Sequence, residues 1–201
     1  MILPINLNVS DLLVKRGEIP LIQSFSVNLV PHDCCMLTGP NGSGKTTLLR
    51  TIAGLLKPSG GKVDLNTDSE SKPMIAYHGH QDALTEQMTV IENLIFYQKL
   101  YKSDSGQMDS LIQKFSIDYL NQPVGQLSAG QKKRASLCCH FLAKASLWIF
   151  DEPATNLDQN SINVLTQEIE KLKDSGAIVL IATHSPQIYS YISNLNVSLE
   201  P

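Results

Sequence analysis

The segment from residue 39 to residue 46 constrains what this chain can fold into more than any other. It reads Gly-Pro-Asn-Gly-Ser-Gly-Lys-Thr and matches the pattern G-x-x-x-x-G-K-[ST]. An apolar run at residues 34–37 precedes it and is typical of a buried strand, while residues 47–53 follow with a helical pattern that Gly54 can end. A glycine-rich turn between a strand and a helix is the context in which this pattern binds phosphate.

This loop predicts a site for a nucleoside triphosphate and Mg²⁺. Glycines allow successive backbone N–H groups to point at the phosphates, and the start of the helix adds partial positive charge. Lys45 brings a full charge to the reacting phosphates and is counted among the catalytic residues, and Thr46 offers its hydroxyl to Mg²⁺. The residues expected to contact the nucleotide are Gly39, Pro40, Asn41, Gly42, Ser43, Gly44, Lys45, Thr46 and Thr47.

Two carboxylates follow a second apolar run, residues 147–150. Asp151, at the tip of the predicted strand, can hold Mg²⁺ through water. Glu152 is offset by one residue and can accept a proton from the water that attacks the γ-phosphate. Charged residues also end many strands for solubility, so the pair gains its meaning from its position after the phosphate-binding loop.

The bulk composition limits the alternatives. With 201 residues, the chain can form one domain, or a domain with a subdomain, but not two full domains. The formal net charge of -3 argues against a dedicated nucleic-acid binder, and we expect no nucleic-acid partner. No run approaches the roughly 20 apolar residues of a membrane-spanning helix, and the first residues lack the features of a signal peptide. We therefore expect any membrane contact to pass through a partner.

The four cysteines form two adjacent pairs, Cys34–Cys35 and Cys138–Cys139, within apolar runs. Their spacing suits neither zinc nor redox motifs, and His140 follows Cys139 without the C-x-x-C-H pattern of haem attachment. We expect four reduced, buried thiols and no direct haem ligation, with metal binding as the disfavoured alternative.

Apolar runs at residues 34–37, 147–150 and 178–182 predict strands that are buried on both faces, as in a parallel sheet covered by helices. Residues 5–14 and 25–30 alternate more loosely and predict the edge strands of an antiparallel flap. The pattern as a whole is that of an α/β fold.

Helical patterns dominate from about residue 85 to residue 145, after a serine-rich link at residues 68–72. Thr89 and Glu92 have the spacing of a capping box and predict the start of one helix. Residues 162–172 predict a later amphipathic helix.

Residues 127–131, Leu-Ser-Ala-Gly-Gln, resemble the signature sequence of the ABC ATPases. The resemblance extends over the whole chain, since Gln81 resembles the switch glutamine of that family, residues 156–158 the loop that crosses between cassettes, and His184 the switch histidine. It implies a P-loop NTPase fold of the ABC type: a mainly parallel core sheet flanked by helices, an antiparallel β edge flap and an inserted helical subdomain. The chain would then be a single ABC ATPase domain, residues 1–201, with the helical subdomain at about residues 85–145.

The resemblance also implies ATP hydrolysis by two cassettes together. Ser128 and Gly130 precede a predicted helix at residues 131–143, and such a helix start is a second anion-binding terminus. In this family the signature of one cassette closes over the ATP held by the other, which gives a head-to-tail dimer. His184 would contact the γ-phosphate as a catalytic residue, and Gln81 would sense it through Mg²⁺ and water. The nucleotide-binding residues implied outside the loop are Gln81, Ser128, Gly130, Gln131 and Asp158.

Many family members stack an aromatic residue on adenine ahead of the phosphate-binding loop. Here that region reads Val-Lys-Arg-Gly at residues 14–17, without an aromatic residue. Arg16 could stack its planar guanidinium on the base instead, or it could belong to a solvated basic turn.

Within the family, three stretches are similar to the ATP-binding subunits of haem exporters in cytochrome c maturation: residues 77–81 followed by 89–94 and 96–97, residues 127–134, and residues 147–153. This similarity implies a CcmB-like integral membrane subunit as partner and a place on the cytoplasmic face of the inner (cell) membrane. Residues 138–140 and 154–157 depart from that group. A non-transport ABC ATPase that regulates a soluble complex, or an exporter of another cargo, is the alternative.

Overall fold

A computed structural model describes residues 3–67 and 72–199, except for the side chain of Arg16. The predicted link at residues 68–72 lies almost entirely outside the described residues. The chain divides into two compact units. The first comprises Met1–Tyr77, Ala145–Glu152 and Ile169–Pro201, and the second His78–Lys144 and Pro153–Glu168. The phosphate-binding loop and the acidic pair belong to the first unit, and the signature motif belongs to the second.

An antiparallel sheet is formed by β1 (Asn6–Arg16), β2 (Ile19–Leu29) and β4 (Gly60–Asn66), with β1 in the centre. Leu7 and Val9 point into the core, and so do Leu12 and Val14, although the two pairs differ in parity along the strand. A register shift between Val9 and Leu12 allows this change of side. Both halves of the strand therefore bury their apolar side chains on one face.

A mainly parallel sheet is formed by β3 (Cys34–Thr38), β5 (Ile75–His78), β6 (Leu147–Asp151), β7 (Ile178–Ala182) and β8 (Leu195–Ser198). The strand order is β5-β6-β7-β3-β8, and β7 pairs in parallel with both β6 and β3. Every residue of β6 and β7 is buried, which explains why these strands read as continuous apolar runs.

Helix α1 (Lys45–Ile52) follows the phosphate-binding loop. Its residues Leu48, Leu49 and Ile52 belong to one apolar cluster with residues of both sheets of the first unit. Burial of such side chains is the main stabilising contribution to a domain of this size. It fixes the helix, and hence its N-terminus, against the sheet.

The carboxyl ends of three parallel strands meet at one edge of the sheet. Ala182 at the end of β7 pairs with Leu37 of β3 on one side and with Asp151 of β6 on the other. The segments that follow these strands therefore emerge side by side, which is the usual place for a ligand in open α/β sheets.

The second unit is helical within the described residues. It contains α2 (Val90–Tyr101), α3 (Ser105–Lys114), α4 (Ala129–Phe141) and the first part of α5 (Gln159–Asp174). The predicted capping box is confirmed: Thr89 caps α2 with its side chain while the Glu92 carboxylate accepts from the Thr89 backbone N–H at 2.7 Å. Phe115 and Phe141 stack in its core.

Several details differ from the sequence-based predictions. Residues 5–14 were predicted as an edge strand, but β1 lies in the centre of its sheet, and β2 begins at Ile19 rather than at residue 25. Strand β4 was not predicted, because only Val63 and Leu65 carry its apolar pattern and both are only partly buried. Helix α4 begins at Ala129, not at residue 131. Helix α1 begins at Lys45 rather than residue 47. Among the described residues, no helix has both the length and the apolar character needed to span a bilayer.

The prediction of four reduced, buried cysteines is confirmed. Burial raises the pKa of the Cys34 and Cys35 thiols to about 12. These groups are therefore protonated and unreactive near neutral pH.

Candidate active site

The phosphate-binding loop owes its shape to glycines in backbone conformations that other residues rarely adopt. Gly39 and Gly44 have φ angles of 144° and 92°. A Cβ atom at Gly39 would lie only 2.5 Å from the carbonyl oxygen of Leu199. The segment after β8 approaches the backbone of Gly39 too closely for any side chain, so this position requires glycine.

Lys45 fills the centre of this loop. Its side chain is buried, and its ammonium donates to the carbonyl oxygens of Gly39 at 2.7 Å and Pro40 at 3.0 Å. The Ser43 hydroxyl in the same loop is buried and makes no hydrogen bond to the described residues. A buried cation beside an unsatisfied hydroxyl and a helix N-terminus is a donor-rich environment suited to phosphate oxygens.

Asp151 and Glu152 occupy two different environments at the end of β6. Asp151 is only 1% exposed. Glu152 adopts a φ angle of 52°, in the left-handed region, and its N–H donates to the carbonyl of Ala182 at 3.0 Å. A non-glycine residue held in this region costs of order 1–3 kcal/mol, and such residues concentrate at functional sites.

His184 contacts the predicted catalytic base. Its Nδ1 lies 2.7 Å from Glu152 Oε2, and its backbone N–H donates to the same oxygen at 3.3 Å. The His184 side chain is 61% exposed, whereas that of Glu152 is 17% exposed. His184 therefore orients one carboxylate oxygen of Glu152 while the imidazole stays open to solvent.

Tyr77 and Arg50 were missed by the sequence analysis. Burial raises the pKa of the Tyr77 hydroxyl, the Arg50 guanidinium opposes this rise, and the Asp151 carboxylate adds to it. Both side chains thus lie within electrostatic reach of Tyr77, next to the predicted metal site. The sequence shows only that Tyr77 lies in an apolar segment, because the position of its strand beside β6 comes from the strand order of the folded sheet.

The residues of the first unit fit Mg²⁺ by their chemistry. Thr46 supplies a hydroxyl at the start of α1, and Asp151 supplies a carboxylate at the end of β6. Oxygen ligands of this kind, with the nucleotide phosphates and water completing the shell, are those that Mg²⁺ prefers. Gln81, the third predicted metal residue, is exposed and belongs to the second unit.

The signature residues form the first turn of α4. Ser128 is the N-cap, its hydroxyl accepts from the N–H of Gln131 at 3.3 Å, and the Gln131 side chain accepts from the Ser128 N–H at 2.9 Å. Gln131 was predicted to bind nucleotide, but here its side-chain oxygen is occupied by this capping box. Gly130 lies inside the helix rather than before it. A Cβ atom there would lie 2.8 Å from the carbonyl oxygen of Asn156.

The side chain of Asp158 contacts other residues of the second unit. Its carboxylate accepts from the Ser161 N–H at 2.7 Å, directly before α5, and lies 3.9 Å from Arg134 Nη1. The hydrogen bond from Ser161 is the main cause that lowers the pKa of Asp158. Asp158 therefore begins α5 as an anion at its N-terminus.

The structure thus brings together part of the predicted site. Lys45, Asp151, Glu152 and His184 belong to the first unit with the loop at residues 39–47. Gln81, Ser128, Gly130, Gln131 and Asp158 belong to the second unit. The side chain of Arg16, predicted to contact adenine, lies outside the described part of the chain.

Comparisons with known proteins identify the family. The family model for ABC transporters matches residues 22–155, and the chain therefore belongs to the ABC transporter family. It is 37% identical, over 90% of its length and 89% of the relative, to the cytochrome c biogenesis ATP-binding export protein CcmA of Escherichia coli O157:H7. It is also 37% identical to the CcmA protein of Ruegeria pomeroyi, over 89% of this chain and 84% of that one.

Solved structures share the fold. The ATP-binding subunit of an ABC transporter superposes with a TM-score of 0.84 at 24% identity, covering 96% of this chain and 85% of the other. A putative ABC transporter ATP-binding protein from Pyrococcus furiosus superposes with a TM-score of 0.82 at 24% identity, covering 96% and 97%. The predicted α/β fold of the ABC type is confirmed.

Proposed function

We propose that this chain is the ATP-binding and ATP-hydrolysing subunit of a haem export system in cytochrome c biogenesis. The observation that carries the hydrolytic part is the meeting of the phosphate-binding loop, Asp151 and the Glu152–His184 contact at one sheet edge. The similarity to CcmA proteins over nine-tenths of the chain supports the assignment to cytochrome c biogenesis.

The residues of the first unit divide the chemistry among them. The backbone N–H groups of the loop and the ammonium of Lys45 bind the triphosphate. Mg²⁺, held by Thr46 and Asp151, would neutralise charge that develops on the phosphates during hydrolysis. Glu152 orients the attacking water and accepts its proton, and His184 holds the accepting oxygen in place.

The second unit supplies the other half of a shared site. The N-terminus of α4, capped by Ser128, favours anions. A loop that already surrounds its own phosphates has no need of a second such terminus. We therefore assign Ser128 and Gly130 to the triphosphate bound by a second copy of this chain, so that ATP joins a head-to-tail dimer and hydrolysis releases it.

The energy of this cycle would reach a membrane protein. The partner is a CcmB-like integral membrane subunit, which would hold the chain at the cytoplasmic face of the inner (cell) membrane. The contact surface of the chain is the segment around residues 81–88, which begins at the switch glutamine Gln81 and exposes residues 81, 83 and 85–87. Crosslinks from the membrane subunit that fall only outside this segment would overturn the assignment of the surface.

The Glu152→Gln variant tests the hydrolytic assignment. The change preserves size and an oxygen that can accept from the His184 N–H, but it removes the base. We expect turnover to fall by about 10²–10⁴-fold, with ATP binding retained and an ATP-bound dimer accumulating in sedimentation experiments. The matched control is Glu170→Gln on the exposed side of α5. Near-normal hydrolysis by Glu152→Gln would exclude Glu152 as the base.

Purification of the tagged chain from membranes tests the biological assignment. Recovery of a polytopic subunit with the chain, together with loss of cytochrome c maturation when the chain is deleted, is the expected result. Recovery of soluble proteins alone would favour regulation of a soluble complex, and normal cytochrome c in the deletion strain would favour another cargo.

A further inference from the structure

Helix α4 carries a buried polar face that the ATPase chemistry does not explain. Lys133, Ser136 and His140 follow one another at intervals of three and four residues and share one side of the helix. All three are buried. A helix face buried in a core is ordinarily apolar, so each of these side chains needs a specific partner.

The partners lie on the segment that carries Gln81. Lys133 Nζ lies 3.0 Å from Asp82 Oδ1, Ser136 Oγ lies 3.2 Å from His78 Nε2, and the His140 ring packs edge-on against the His78 ring at 5.2 Å. Asp82 directly follows Gln81, and His78 precedes it by three residues. The polar face of α4 therefore contacts the chain on both sides of Gln81.

The Lys133–Asp82 ion pair is the contact of this set between oppositely charged side chains. The Lys133 side chain is 5% exposed and that of Asp82 is 23% exposed. Removing such charges from water offsets much of their attraction, so a buried pair contributes little to stability by itself. It does disfavour any displacement that separates the charges, because an unpaired buried lysine is strongly unfavourable.

A neighbouring ion pair on the same helix provides a natural contrast. Lys132 Nζ lies 3.1 Å from Glu86 Oε1, but these side chains are 25% and 66% exposed. Solvent screens this pair and can replace either partner when the other moves. Of these two pairs, only the buried one can hold the backbone beside Gln81 in a fixed position relative to α4.

We propose that the Lys133–Asp82 ion pair is a positioning contact that makes Gln81 and the Ser128 helix terminus move as one body. This inference rests on the proposed function, in which Gln81 senses the γ-phosphate of one nucleotide and Ser128 contacts the nucleotide of the partner cassette. Through the pair, γ-phosphate contact at Gln81 fixes the orientation of α4, and the signature terminus is presented to the second copy in one conformation.

ATP-dependent pairing of the full chain tests this role in the Glu152→Gln background. Adding Lys133→Met should raise the dissociation constant of the ATP-bound dimer by about tenfold, in the range by which residues remote from a ligand alter coupling. ATP affinity of the monomer should change by less than about twofold, because the first unit holds the nucleotide. The control Lys132→Met should pair like the parent, and Lys133→Arg, which keeps the charge, should recover most of the pairing.

Asp82→Asn gives the same readout if Lys133→Met does not fold. In a double-mutant cycle the combined variant should pair no worse than the more impaired single variant, since both remove one contact. Equal pairing by Lys133→Met and Lys132→Met, or multiplicative losses in the cycle, would overturn the proposal. If the parent Glu152→Gln chain does not pair with ATP, the proposed function fails first, and the two failures are thereby distinguished.

Discussion

Replacement of Lys45 by alanine measures how much one ammonium group contributes to the free energy of ATP binding. This residue is 7% exposed, and its ammonium already donates to two carbonyl oxygens of the loop, those of Gly39 and Pro40. Phosphate oxygens must compete with these carbonyls for the same three N–H donors. The free energy that Lys45 contributes to ATP binding is therefore the difference between two sets of charge-assisted hydrogen bonds, not the full strength of one set.

The magnitude follows from that difference. A hydrogen bond with one charged partner contributes roughly 1.5–3 kcal/mol net, and bonds between two charged groups lie above this range. Because the ammonium exchanges carbonyl oxygens for phosphate oxygens, we expect Lys45→Ala to weaken ATP binding by about 2–3 kcal/mol, or roughly 30- to 150-fold. The two carbonyls also lose their donor in this variant, so we expect the free energy of unfolding without nucleotide to fall by about 1 kcal/mol.

Titration with three nucleotides in the presence of Mg²⁺ measures this effect. Lys45→Ala should weaken ATP and ADP binding strongly but leave AMP binding nearly unchanged, because AMP lacks the phosphates that the lysine reaches. Lys57→Ala, which removes an exposed lysine after α1, is the control for a general loss of positive charge. Parent-like ATP affinity in Lys45→Ala, or an equal loss for AMP, would refute this account of the loop.

Two further predictions concern the second unit. Gly130→Ala places a methyl group 2.8 Å from the Asn156 carbonyl oxygen. We expect this variant to reduce the free energy of unfolding by about 1–3 kcal/mol and to weaken ATP-dependent pairing. Parent-like unfolding by denaturant would show that the loop before α5 can move to accommodate the methyl group. Burial lowers the pKa of His140 to about 3, so the folded state favours the neutral imidazole. The stability that this preference gives the folded state is complete above the ordinary pKa of 6.5 and is lost as the pH falls from 6.5 toward 3. His140→Phe should therefore flatten the fall in melting temperature between about pH 7 and pH 4, whereas the exposed control His80→Asn should not, and an unchanged acid slope would contradict the assignment.

Local signals in the sequence predicted the parts of the fold that local interactions decide. Thr89 and Glu92 predicted the start of α2 because a capping box is made by residues three positions apart. Strands β6 and β7 were predicted because complete burial leaves a continuous apolar run. Strand β4 gives no such signal, because its residues pair with the distant β1 and remain partly exposed.

Tertiary contacts decided the parts that were not predicted. Gly130 was expected just before the helix, yet it lies in the first turn of α4, where the Asn156 carbonyl leaves no space for a Cβ atom. The contact of Lys133 with Asp82 joins residues that are far apart in sequence, and no spacing rule relates them. Propensity and motif position could not reveal either feature.

Local backbone conformation and tertiary contacts act together at Glu152. A left-handed backbone at this residue is unfavourable by itself, and the following proline further restricts its conformations. It is held by two contacts from the neighbouring strand and the segment after it: the Ala182 carbonyl accepts from the Glu152 N–H, and His184 contacts the carboxylate. Because both partners follow from the pairing of β6 with β7, the core of the sheet sets the direction of the carboxylate that we propose as the base. The strain at Glu152 is therefore sustained by two completely buried strands, which hold the proposed base in position.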